Sequence, residues 1–184
     1  MNVLQNQLLI KILIGLVGFI SLVILIISLG TWRMNKSIKQ EIALLIENKG
    51  ESNREIITEK DLEKLPAPVK RWMINTGVVG KKPIQTLHFK QTGKMKLKPD
   101  QKDWFIPQAK QYIRVDKPSY LWHVNLPMLP IINTNGRDLF WDGKGSMLIK
   151  IGSVIPVVDV SPNEKINESS LHRFLLEIPW YPTA

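Results

Sequence analysis

The chain has 184 residues, no cysteine, six tryptophans and a formal net charge of +9. A length of this order accommodates one domain of ordinary size. The absence of cysteine excludes disulfides, thiolate metal sites, a cysteine nucleophile and a lipid-modified N-terminal cysteine.

The first element is an uncharged apolar run, Ile12 to Gly30, nineteen residues long. As an α-helix rising about 1.5 Å per residue it spans about 30 Å, the hydrocarbon thickness of a bilayer. Leu8 to Ile10 extend the run behind Lys11, whose long stem can snorkel to the interface. A cleavable signal peptide is the competing reading, with Ser28 and Gly30 as small residues before a cut. Against it, the run exceeds a usual signal core, and the leading MNVLQNQ carries no basic side chain. Residues 1–32 are therefore read as a single-pass anchor in the cell membrane. Lys11 on one flank faces Arg33, Lys36 and Lys39 against Glu41 on the other. This balance leans narrowly towards a cytoplasmic C-terminal domain and leaves the side of the membrane open.

Residues 33–60 read as a juxtamembrane helix and linker. Ile38, Ile42, Leu45 and Ile46 recur at helical spacing, Gly50 offers a stop, and Lys49 to Arg54 is polar. Residues 61–184 then form an α+β domain. Thr58 followed by Asp61 resembles a cap opening a brief helix through Lys64. Pro68 suits the first turn of a second helix that Gly77 closes.

From Pro83 the apolar period becomes two. Leu87 and Phe89 alternate with Thr86, His88 and Lys90, and Thr92-Gly93 suggests a turn into a second strand of Met95 and Leu97 with Lys94, Lys96 and Lys98. Further strands are expected over Gln108 to Val115, Ser119 to Asn125, Asp138 to Trp141, Ser146 to Ile151 and Val154 to Val160. Asp142-Gly143-Lys144-Gly145 supplies a turn, and Pro156 suits an edge. Asn167 is expected to cap a last helix with Leu171, Phe174, Leu175 and Ile178 on one side, ended by Pro179. Meandering strands between helices predict α+β with a mostly antiparallel, curved sheet.

Three stretches, LPAPVKRW (Leu65 to Trp72), the WxxPQAKQY run from Trp104 to Tyr112, and LHRFLLEIPWYPTA (Leu171 to Ala184), together resemble an uncharacterised bacterial family classed as a domain of unknown function. The resemblance covers roughly Asp61 to the end and carries no chemistry. Members of that family usually continue with further strands, so a chain ending at Ala184 is expected to be truncated. An uncovered sheet edge would then remain, and Trp180 and Tyr181 would want a partner surface.

Charge is unevenly distributed. Lys70 to Lys117 holds twelve basic and three acidic residues, whereas the remainder holds thirteen of each. The excess therefore lies wholly in that segment. Lys90, Lys94, Lys96 and Lys98 are candidates for an anionic-surface contact, with anionic lipid the nearest partner for a tethered domain. A solvated face is the plain alternative. No nucleic-acid motif appears, and aromatics do not interleave with the lysines. Trp122, Trp141, Arg173, Glu177 and Trp180 are candidates for lining an apolar ligand site, although strand aromatics such as these serve most often as core. Arg173 and Glu177 at i, i+4 are expected to pair on the helix surface, and Asp138 and Asp142 to shape a turn. His88, His123 and His172 lack metal-ligand spacing, so neither a metal nor a cofactor is implied. No nucleophile, base and orienter can be named together. The leading expectation is a tethered domain that binds lipid or an apolar ligand, or docks on an anionic surface. An enzyme on a membrane-associated substrate, using Arg173, Glu177 or His172, is the first rival. A structural subunit using Trp180 and Tyr181 for a protein partner is the second.

Overall fold

The computed structural model describes residues 3–47, 55–129 and 132–183. The expected polar linker from Lys49 to Arg54 and the stop at Gly50 lie outside the described residues. The apolar run and the helical pattern after it form one uninterrupted element, α1 (Val3–Glu47). Nothing between Ile12 and Ile46 breaks it, since no proline occurs there. Its first half is long and apolar enough to cross a membrane, and its apolar side chains are mostly exposed.

The domain is α+β. After a 3-10 turn at Glu59–Leu62 and the short helix α2 (Ala67–Asn75) come six strands. They are β1 (Thr86–Thr92), β2 (Gln108–Arg114), β3 (Ser119–Leu129), β4 (Ile132–Trp141), β5 (Lys144–Ile151) and β6 (Ile155–Val160), followed by α3 (Glu164–Glu177). Every strand pairs antiparallel with its sequence neighbour, giving an open sheet in the order β1 to β6. Asp142 and Gly143 both take positive φ between β4 and β5, the two-residue turn that an Asp-Gly pair favours.

The expected hairpin at Thr92-Gly93 does not form. β1 pairs instead with β2, from Thr86 opposite Arg114 to Thr92 opposite Gln108. That register brings Leu87 against Ile113, an apolar match, whereas a return at Gly93 would have stacked Lys94, Lys96 and Lys98 beside Lys90. The intervening segment leaves the sheet, tied by a bridge between Met95 and Phe105, and Lys96 lies over the Trp104 ring at 4.8 Å. The last helix also starts earlier than expected. Asn163 Oδ1 accepts from Ile166 N at 3.2 Å as the cap, and Asn167 Oδ1 accepts from Gly145 N.

Alternation of side chains divides the core into two layers. On one face Ile113, Tyr120 and Phe140 meet Phe174 of α3 and Tyr181. On the other, Leu121 with Tyr112, Leu139 and Trp141 meets Met34, Ile38 and Leu45 of α1. The second half of α1 is therefore a wall of the domain. Tyr181, expected to lack a surface, is buried and its hydroxyl donates to the Phe174 carbonyl at 3.4 Å.

Candidate functional site

On the α3 face a polar network crosses four strands. Trp122 Nε1 donates to Gln91 Oε1 at 2.8 Å, and Gln91 Nε2 donates to Gln111 Oε1 at 3.1 Å. Gln111 Nε2 donates to Glu177, whose other oxygen accepts from Arg173 Nε at 3.0 Å. Arg173 Nη1 also donates to Asp138 Oδ2 at 2.6 Å, and the Tyr120 hydroxyl donates to the same oxygen at 3.3 Å. The guanidinium lies over Tyr120 at 4.8 Å and Trp122 at 5.4 Å. Register explains the assembly, because Gln111, Trp122 and Asp138 are cross-strand partners in one row, and Arg173 and Glu177 stand one helical turn apart above it. Burial raises the Asp138 pKa against the lowering pull of Arg173. Burial and the Asp138 charge push the Tyr120 hydroxyl up to about 12.

The Arg173–Glu177 pair thus points into the sheet and not along the helix surface as expected. Asp138 is 5% exposed and serves the network, while Asp142 pairs with Lys117 at 2.9 Å. Sequence reasoning missed Asp138, Gln91 and Gln111. The available signal was that a carboxylate and two amides occupy the apolar-facing register of their strands. Trp122, Arg173 and Glu177 come together here. Trp141 lies on the opposite face beside α1, and Trp180 stays 71% exposed. His172, which the enzyme reading needs beside Arg173, instead faces Glu168 on the outer side of α3. Most donors and acceptors of the network satisfy one another, and Asp138 Oδ1 is buried without a hydrogen-bond partner among the described residues.

The α1 face differs between its two ends. Far from the apolar span, Tyr112, Leu121, Leu139 and Trp141 pack against α1. Nearer the span the register rows turn polar, as Lys90–Lys110–His123–Arg137 and Thr92–Gln108–Asn125–Asn135. α1 lies across these rows and leaves a groove on each side. The groove towards β1 has a volume of about 790 Å³ and is lined from α1 by Thr31, Asn35 and Lys39. The groove towards β5, about 450 Å³, contains Arg33, Lys150 and Arg137. Arg137 is paired there with Glu41 at 3.4 Å. At the ridge between the grooves, Ser153 Oγ accepts from Asn135 Nδ2 at 2.7 Å and from Thr31 Oγ1 at 3.2 Å. Close approach is possible because Gly30 has no side chain. A Cβ there would stand 2.8 Å from Val154 Cγ2 and 2.9 Å from the Ser153 carbonyl oxygen.

Burial lowers the His123 pKa, and the neighbouring Lys110 charge acts in the same direction. Its buried Nε2 has no hydrogen-bond partner among the described residues. A histidine held below its ordinary value of 6.5 gives stability that is complete above that pH and is lost as pH falls through the folded-state value. The melting temperature of the detergent-solubilised full chain should therefore fall on acidification below about pH 6.5, and less steeply for His123→Gln. An unchanged slope in the variant would assign the effect to other groups, with His88, lowered by burial and by Lys110 and Lys90, the first to test.

Among the described residues no group of three or more histidines and carboxylates is placed to hold a metal ion. The architecture is that of an α+β domain with an open antiparallel sheet, one face closed by the continuation of an N-terminal apolar helix. The chain belongs to a family of unknown function, DUF6920, whose family model matches residues 63–184. No curated protein and no solved structure matches it.

Proposed function

We propose that this chain is a single-pass membrane protein whose sheet domain stands end-on against the bilayer and binds lipid there. The observation that carries this reading is a coincidence of height. The β5–β6 turn packs on α1 at Ile27, Gly30 and Thr31, where the apolar run ends. The same end of the sheet exposes Leu129 at the end of β3 (59%), Ile151, Val154 and Ile155 (61%). Apolar tips level with the end of an apolar helix are suited to the acyl boundary, whereas in water they would form an unpartnered patch. Trp32 and Arg33 follow at once on α1, and Lys36 lies over the Trp32 ring at 5.3 Å, an arrangement typical of an interfacial anchor.

The absence of native cysteine makes the test clean. Single cysteines replacing Leu129, Ile155 and, as a control in the β1–β2 excursion, Lys98 can be spin-labelled in the full chain in lipid nanodiscs. Oxygen should relax the labels at 129 and 155 more than a water-soluble nickel chelate does, and the label at 98 the reverse. Equal chelate accessibility at all three would remove the docked orientation. A mature chain recovered from the soluble fraction and cut after Gly30 would remove the tether itself.

A further inference from the structure

We propose that the larger groove, between α1 and the face of β1 to β4, is a binding site for the phosphate-bearing headgroup of an anionic membrane lipid. This rests on the end-on docking above and adds to it a defined site. Lys90 and Lys110 are direct cross-strand partners, and His123 is the next residue in the same row. Like charges set opposite each other on a sheet are unfavourable unless something anionic lies between them. Lys39 reaches the same groove from α1, and among the described residues no carboxylate lines it. Among the described residues none of these three lysines makes an ion pair.

The donors are graded along the groove. Asn125 and Asn135 lie towards the span and the lysine row lies deeper, so neutral amide donors come first and cations behind them. Asn135 is fixed by Ser153, and Asn125 Nδ2 donates to Asn135 Oδ1 at 3.1 Å, so the amides are pre-oriented. Thr31 at the mouth and Lys39 further down are eight helical residues apart, about 12 Å. That range begins where the apolar run stops and covers headgroup depth. The volume lies within the range of small-ligand sites. The smaller groove is the weaker candidate, because Glu41 already neutralises Arg137 within it.

The test titrates the full chain in detergent with phosphatidylglycerol, phosphatidylcholine or inorganic phosphate, and counts retained molecules by native mass spectrometry. The anionic lipid should be retained about tenfold better than the zwitterionic one, and Lys90→Gln/Lys110→Gln should lower its retention about tenfold or more. Lys94→Gln/Lys98→Gln, in the segment outside the sheet, should leave retention unchanged. Asn35→Trp, which fills the groove from the helix side and removes no charge, should also lower it. Equal retention of the two lipids, or equal loss in both lysine pairs, would overturn the site. Displacement of the lipid by stoichiometric inorganic phosphate would overturn the lipid as its source. Selectivity absent while the labels at 129 and 155 stay buried defeats the groove alone. Labels in water defeat the docking and, with it, the lipid source.

Discussion

A fragment beginning at residue 55 should fail to fold cooperatively, whereas one beginning at Thr31 should retain the native sheet. The first fragment lacks Met34, Ile38, Ile42, Leu45 and Ile46, which together cover Tyr112, Leu121, Leu139 and Trp141. Burying a large apolar side chain contributes about 1.5–3 kcal/mol, so five of them amount to about 10 kcal/mol. That is the size of the whole stability of an ordinary domain. Leu45 is fully buried, and its loss alone exposes the centre of that layer. The residues matched by the family begin at 63, yet a wall of the core is supplied by a helix that ends at Glu47. Far-ultraviolet circular dichroism during thermal unfolding distinguishes the fragments. A sharp cooperative melt from residues 55–184 would show that α1 is only a tether.

The covering role of α1 marks the limit of what could be read from the sequence. Period-two alternation located β1, β2, β5 and β6 and the common face of Tyr120 and Trp122, but it missed the first part of β4, Ile132 to Arg137, and suggested a strand over Met95 and Leu97 that does not form. The Asp142-Gly143 turn was legible because its residues require positive φ. What alternation cannot give is which strand pairs with which. The lysine-rich segment after Gly93 has strand-like periodicity, but its partner would have been another lysine row, and β2 offered Ile113 instead. The anionic-contact candidates consequently separate. Lys90 stays on the sheet beside Lys110, while Lys94, Lys96 and Lys98 leave it. The same limit hid the polar network, since Asp138 stands close to a turn in sequence and only register places it beneath Arg173. Trp122 and Trp141 look equivalent in composition. A one-residue difference in strand phase puts them on opposite sides of the sheet.

Arg173→Met should destabilise the folded chain by about 3 kcal/mol, lowering the melting temperature by about 6–10 °C. Methionine keeps the apolar bulk against Tyr120 and Trp122 but removes the donors to Asp138 and Glu177. Among the described residues Asp138 then keeps only the Tyr120 hydroxyl as a partner on Oδ2, and its other oxygen is already buried without one. An uncompensated buried carboxylate is the costly outcome, so Arg173→Met/Asp138→Leu should recover much of the loss. Burial already raises the Asp138 pKa, and Arg173 is the largest influence lowering it. Removing the arginine therefore raises it further in the folded state, and folding then takes up a proton. Stability of the variant relative to the parent should improve as pH falls, because below the raised value the carboxyl is neutral. Lost stacking on the two aromatic rings would cost the same at every pH. A difference between variant and parent that stays constant from neutral to mildly acid buffer would therefore assign Arg173 to packing and remove the buried ion pair from the account of α3 docking.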